Sequence, residues 1–299
     1  MSTADGTVLG TTQILGSLPP ASAFNIVLLA EGFTGEEQSA FDTACTEFVA
    51  ALLATPPFGD QGCAFNVYRV NVASAESGAD DPVAAGGTGA EVRTYFDAQF
   101  GASGLRRLLV CNASTALQVG LAQVPEFSAI VVVVNSTIYG GSGGTVAVYS
   151  MAGGATEIAL HEIGHSAFDL ADEYPFYAGG AEPDREHHPG PEPTEPNVTT
   201  NAEGATLKWR AVVTPNTAIP TMANPNCATA DTRPSPVPAG TVGLFEGAHY
   251  YHCDAYRPEY TCKMRDLGQP FCRVCRDTIA ARITRAPGVP APPTNLHIG

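Results

Sequence analysis

The sequence predicts an α/β fold in which a mixed, twisted sheet backed by helices precedes a loop-rich, cysteine-containing region. Three observations carry this expectation. Apolar runs of strand length, FNIVLLAEGF and SAIVVVVNS, alternate with segments of helical periodicity between residue 24 and about residue 150. A helix-length stretch, GGATEIALHEIGHSAF, closes this half. From Pro175 to about Pro238 the periodicity fails, and proline, glycine and acids dominate. With 44% apolar residues in 299, the chain can bury a sizeable core.

The elements follow in order. Residues 1–23 read as an N-terminal extension. FNIVLLAEGF is a buried strand, EEQSAFDTACTEFVAALL a helix after Thr34 as a plausible N-cap, and CAFNVYRVNVA an alternating strand, which together make a β-α-β unit. AEVRTYFDAQF reads as a short helix, RRLLVCN as a strand, STALQVGLAQV as a helix and SAIVVVVNS as a strongly buried strand. The turn YGGSGG leads into TVAVYSM, whose shortness and alternation predict a strand at a sheet edge. A helix is expected from about Ala155, with Ile158, Ile163 and Phe168 available for packing. Residues 24–174 thus form an upper subdomain, 175–285 a lower, loop-rich one, and 286–299 a proline-rich tail or linker. In the lower part order resumes at LKWRAVV and VGLFEGAHYY, and the cysteine-containing stretch that follows finishes in a helix.

Composition excludes several functions. Thirty acids against fifteen basic residues give a formal charge of -15, which opposes binding to nucleic acid or to an anionic membrane surface. No apolar run approaches the roughly 20 residues that span a bilayer. MSTADGTVLG has neither the basic nor the apolar region of a signal peptide. Eight cysteines, an even number, suit an exported chain with several disulfides. The competing reading is a structural zinc in the closing cluster, where CRVC offers a ligand pair with Cys253 and Cys262 upstream.

Chemistry concentrates in HEIGHSAFDLADEY. Helix positions four apart differ by about 40° in azimuth and about 6 Å in rise, so His161 and His165 present their imidazoles to one point, as two ligands of a Zn2+ ion do. Glu162 lies beside the first histidine, where a carboxylate can take a proton from metal-bound water and pass it to a leaving amine. The competing reading is an amphipathic helix with solvated histidines. A catalytic zinc needs a third ligand, and in a continuing helix Asp172 would sit about 10 Å beyond His165. The chain therefore has to turn, and Asp169 tolerates the left-handed backbone that a turn requires.

HEIGHSAFDLADEY, EPNVT, VGLFEGAHYY and YRPEYTCKMRDLGQPFCRVC, with NIVLLAEGFT and ESGADDP nearer the amino terminus, resemble the IgA-peptidase family of zinc metalloendopeptidases. The likeness runs over most of residues 5 to 280. It implies an α+β zincin fold and a secreted bacterial endopeptidase acting on protein or peptide substrates, with a proline-rich segment as one candidate. In the similar metzincins a glycine breaks the helix and the third ligand follows three residues later. Asp169 in the glycine's place makes Asp172 the third ligand, with Glu173 the alternative and a spacing that departs by one residue. The resemblance assigns the methionine turn to Met264, and it draws attention to Tyr256, Arg257 and Glu246. Tyr256 stands as the candidate donor to the oxyanion, among the four tyrosines 250, 251, 256 and 260. The strand before the zinc helix, Thr145, Val146, Ala147 and Val148, would pair with extended substrate. His187 and His188 read as solvated rather than as further ligands. The alternative to an enzyme is a degenerate zinc-bearing module that binds protein or glycan, and retention of Glu162 argues against it, since binding needs no general base.

Overall fold

The computed structural model describes residues 5–176 and 185–285; the proline-rich tail expected at 286–299 lies outside the described residues, as does 177–184. The chain divides into two compact units, Met1–Ala167 with Ala281–Gly299, and Phe168–Ala280.

The first unit contains β1 (Gly6–Leu15), β2 (Phe24–Glu31), α1 (Gln38–Ala54), β3 (Phe65–Ser74), α2 (Ala113–Gln123), β4 (Ala129–Val134), β5 (Gly141–Ser142), β6 (Ala147–Ser150) and most of α3 (Ala155–Phe168). Its strands form one six-stranded sheet in the order β1-β3-β2-β4-β6-β5. The β2–β3, β2–β4 and β4–β6 pairs are parallel, and β1 and β5 run antiparallel to their neighbours. This mixed α/β architecture is the one the sequence predicts. Every residue of β2, β4 and β6 is buried, as expected of near-continuous apolar runs in parallel strands covered on both faces. Thr34 opens the α1 region with a capping box closed by Glu37, and the Asn112 side chain caps α2 by accepting from the Thr115 amide at 2.9 Å.

Four local expectations fail. AEVRTYFDAQF forms no helix, because buried Glu31 captures its backbone. The Thr94 hydroxyl and the Phe96 and Ala98 amides donate to the Glu31 carboxylate at 2.6, 2.8 and 2.8 Å, and Asp97 adopts φ 47°. Burial raises the Glu31 pKa to about 7 against the opposing pull of these three donors. RRLLVCN makes only isolated bridges, Leu108 to Gly141 and Val110 to Gln99, rather than a strand. The amino-terminal stretch read as an extension pairs with β3 along Gly6–Leu15; its largely exposed side chains hide it from a periodicity argument. Finally, β6 is not outermost: Gly141 and Ser142 of β5 pair with Tyr149 and Val148, and Thr145 and Val146 precede the strand. Two residues are too short a run to show a pattern of their own.

The second unit contains β7 (Arg185–His187), β8 (Phe245–Ala248), β9 (Tyr251–Arg257) and the beginning of α4 (Arg273–Arg285), with the strands in the order β7-β9-β8. Ala171, Val198, Ala248 and Ala255 form a small apolar cluster against Tyr251. Where apolar side chains are few, side chain to backbone bonds hold the long connection. Lys208 donates to the carbonyls of Glu195 and Val198 at 2.8 and 2.7 Å and also to that of Pro193, and the Trp209 indole donates to Gly243 O at 2.8 Å. One disulfide, Cys227–Cys253, is present among the described residues, where several were expected. Cys45, Cys63, Cys111, Cys262, Cys272 and Cys275 are free.

Candidate active site

In the first unit α3 begins where the sequence places it, at Ala155, and buries Ile158, Ile163 and Phe168. With those apolar positions fixing its rotation, the four-residue step brings His161 and His165 together, Nε2 to Nε2 3.2 Å and ring planes 85° apart. Glu162 and His165 are each only 8% exposed. The β5 strand runs close beside them. A Cβ on Gly141 would lie 3.0 Å from Glu162 Oε1 and 2.6 Å from Ile158 Cγ2, and one on Gly143 2.5 Å from His165 Cβ. The glycine-rich turn thus leaves room for the histidine and the glutamate, a role that reading YGGSGG as a turn alone did not reveal. The helix ends at Phe168, and Asp169 turns the chain with φ 50°, as the sequence predicts for that position.

In the second unit Asp172 is buried, and the hydroxyls of Tyr174 and Tyr250 both donate to its Oδ2, at 2.8 and 2.5 Å. Tyr250 stands at the tip of the β8–β9 hairpin, where it and His249 take φ of 72° and 54°. Two successive left-handed residues match the right-handed twist of a two-residue hairpin loop, and non-glycine residues in that conformation store strain that often marks a functional site. The tip holds the aspartate's own segment, since the amides of His249 and Tyr250 donate to the carbonyls of Asp172 and Tyr174 at 3.1 and 3.0 Å.

Glu173 points elsewhere. It is fully buried, accepts from Asn197 Nδ2 at 2.9 Å, and donates its amide to Met264 O at 2.8 Å. Asn197, in the EPNVT motif that sequence reasoning left without a role, also brackets Ala171 by accepting from its amide and donating to its carbonyl, both at 2.8 Å. Met264 is fully buried. Tyr256 bonds to Glu246, and burial, reinforced by the Glu246 carboxylate, pushes its pKa up to about 12. Arg257 donates to the carbonyls of Glu246, Gly247 and Tyr260. His187 pairs with Asp254 at 2.6 Å, and His188 stacks on His249.

Within the second unit, among the described residues, Glu173, Cys262, Cys272 and Cys275 form a set of potential metal ligands, each offering one ligand atom within 4.8 Å of the others. The His161–His165 pair of the first unit fits a divalent cation. Two nitrogens each about 2.0–2.1 Å from a tetrahedral zinc lie roughly 3.3–3.4 Å apart, and 3.2 Å separates them here. Two imidazoles are donors of the kind a catalytic zinc takes, alongside a third protein ligand and one open position.

A helix that carries two convergent histidines around a buried glutamate, laid against the glycine edge of a mixed sheet, has the make-up of a metal-dependent peptidase. The model of one peptidase family, IgA Peptidase M64, matches residues 12–233 and 228–283, and the chain belongs to that family, which is one of metallopeptidases acting on protein or peptide substrates. A comparison with curated proteins finds no match.

Proposed function

We propose that this metallopeptidase is a zinc-dependent endopeptidase in which His161, His165 and Asp172 hold the metal and Glu162 is the general base and acid. The observation that carries the reading is the 3.2 Å approach of the two imidazole nitrogens beside the enclosed Glu162 carboxylate. Asp172 is preferred to Glu173 because Glu173 is bound to Asn197 within the second unit. A zinc ion held by these residues would supply Lewis acidity to water and to the scissile carbonyl. Glu162 accepts the water's proton as the C–O bond forms and returns it to the amine nitrogen as the C–N bond breaks, so the residue ends each turnover as a carboxylate. Tyr174 and Tyr250 orient Asp172 through their hydroxyls. Met264 receives the Glu173 amide and so steadies the residue next to the ligand.

The Gly141 amide donates to Arg107 O at 3.1 Å and its carbonyl accepts from the Leu109 amide at 3.3 Å, and Ser142 of β5 pairs with Val148, so an extended substrate finds no open main-chain edge at Gly141 or along the expected Thr145–Val148. Tyr256 can serve as oxyanion donor only after releasing Glu246. The protein acts outside the cell in this reading, which the Cys227–Cys253 disulfide supports; no helix among the described residues is long and apolar enough to cross a membrane. The test is Glu162→Gln, assayed on a proline-rich peptide library alongside metal analysis. The variant should keep its zinc and lose at least about 10²- to 10⁴-fold in rate. Wild-type rates in Glu162→Gln, or in metal-free protein, would refute the assignment.

A further inference from the structure

We propose that Glu173, Cys262, Cys272 and Cys275 form a second zinc site, structural and closed, inside the second unit. The inference does not rest on the peptidase reading. The four side chains converge from three separate stretches of chain, one ligand atom of each within 4.8 Å of the others, and none is more than 2% exposed.

The sulfur geometry favours a shared cation over a disulfide. Cys262 Sγ and Cys275 Sγ lie 3.7 Å apart, whereas a disulfide holds its sulfurs at about 2.05 Å. Two thiolates each about 2.3 Å from a tetrahedral zinc lie roughly 3.8 Å apart. The backbone is also arranged for sulfur that carries charge. The amides of Cys272 and Met264 donate to Cys262 Sγ at 3.2 and 3.5 Å, and the Cys275 amide to Cys272 Sγ at 3.4 Å. Cys272 immediately precedes α4 and Cys275 lies in its first turn, where the unpaired amides and the helix dipole stabilise thiolate.

The carboxylate provides a second, independent indication. Glu173 Oε2 is buried with no hydrogen-bond partner among the described residues, while Oε1 accepts from Asn197 and lies 3.3 Å from Cys275 Sγ. An unsatisfied carboxylate oxygen beside three buried thiols is costly in an apolar interior. A divalent cation satisfies all four groups at once. Four protein ligands leave no position for a substrate, which makes the site structural rather than catalytic. Its position along the chain explains what it would hold. Glu173 follows Asp172 directly, and Cys262 lies two residues before Met264, whose carbonyl receives the Glu173 amide. Bound zinc would lock the segment that carries Asp172 to the one that carries Met264.

The test uses the full chain with zinc exchanged for cobalt. The set His161, His165 and Asp172 contains no sulfur, so thiolate-to-cobalt charge-transfer absorption in the near ultraviolet reports on the cysteine site alone. The wild type should show this band at about one thiolate-bound cobalt per chain, with intense tetrahedral d–d bands. The His161→Ala, His165→Ala double variant should keep the band and retain one zinc. Cys272→Ser should abolish or greatly weaken it. If that variant fails to fold, titrating the wild type with a mercurial reagent, followed by a metallochromic dye, replaces it: one zinc should appear as Cys262, Cys272 and Cys275 react. Absence of the charge-transfer band in fully reduced wild type, zinc release that does not follow these thiols, or a Cys262–Cys275 disulfide in the unreduced peptide map would each overturn the proposal. Loss of peptidase activity in the histidine variant with the cobalt band intact would leave it standing, so the two assignments fail separately.

Discussion

Replacing Gly143 by alanine tests whether the close approach of the glycine strand positions His165. The new Cβ would stand 2.5 Å from His165 Cβ and 2.9 Å from both Cγ and Cδ2. Non-bonded carbons rest at about 3.5–4.0 Å, so the nearest contact is short by at least about 1 Å. His165 is 8% exposed and has little room to retreat, and the glycine is not among the positions with left-handed φ, so the effect is steric. Overpacking of this kind costs about 1–3 kcal/mol in stability. Displacing a ligand or reacting group by about 1 Å costs roughly 10² in rate. We therefore expect kcat/KM on a cleaved peptide to fall about 100-fold, with a loss of about 1–3 kcal/mol in urea unfolding. Gly153→Ala, where nothing lies within 4 Å of the added carbon, serves as the control and should change neither. A Gly143→Ala enzyme within twofold of wild type in kcat/KM would refute the claim that this approach sets the histidine.

The remaining predictions concern the aspartate and its supports. Asp172→Ala should release the metal of the histidine site in a competition titration against a chelator, while Tyr250→Phe, which removes the 2.5 Å bond to Oδ2, should weaken affinity or activity by about 10- to 100-fold; an Asp172→Ala protein that binds this metal as tightly as wild type would move the ligand elsewhere. Asn197→Ala deletes three buried hydrogen bonds, to both backbone groups of Ala171 and to Glu173. It should cost at least about 1–3 kcal/mol in denaturant unfolding, because each stranded group loses its partner. Glu192 bears on acid stability. Burial opposes its ionisation, but bonds from Thr199, Thr200 and Lys208 outweigh it and hold the pKa down to about 2. A carboxylate with a depressed folded pKa contributes stability above its unfolded value of 4.5 and loses that contribution as pH falls toward about 2. Glu192→Gln should accordingly flatten the decline in stability between about pH 5 and pH 2, and an unchanged acid limb would show that these bonds carry no linkage.

What the sequence determined alone is what short-range chemistry controls. Unbroken apolar runs specify β2 and β4, a capping box starts the α1 region, and the four-residue step on α3 brings His161 to His165 whatever surrounds the helix. The turn at Asp169 belongs with these, since a left-handed residue is a local choice. What only the tertiary structure decided depends on partners far along the chain. AEVRTYFDAQF has the pattern of a helix, yet Glu31, 65 residues before Phe96, offers its amides a stronger acceptor than a helix would. The sheet edge falls to β5, a two-residue strand recognisable only by the neighbour it pairs with. The choice between Asp172 and Glu173 could be framed from the sequence, but their surroundings come from afar. Tyr250 reaches Asp172 from 78 residues away, and Cys275 meets Glu173 from 102. Adjacent acids carry the same charge and nearly the same local signal; packing assigns them to different donors because successive side chains leave a turning backbone in different directions.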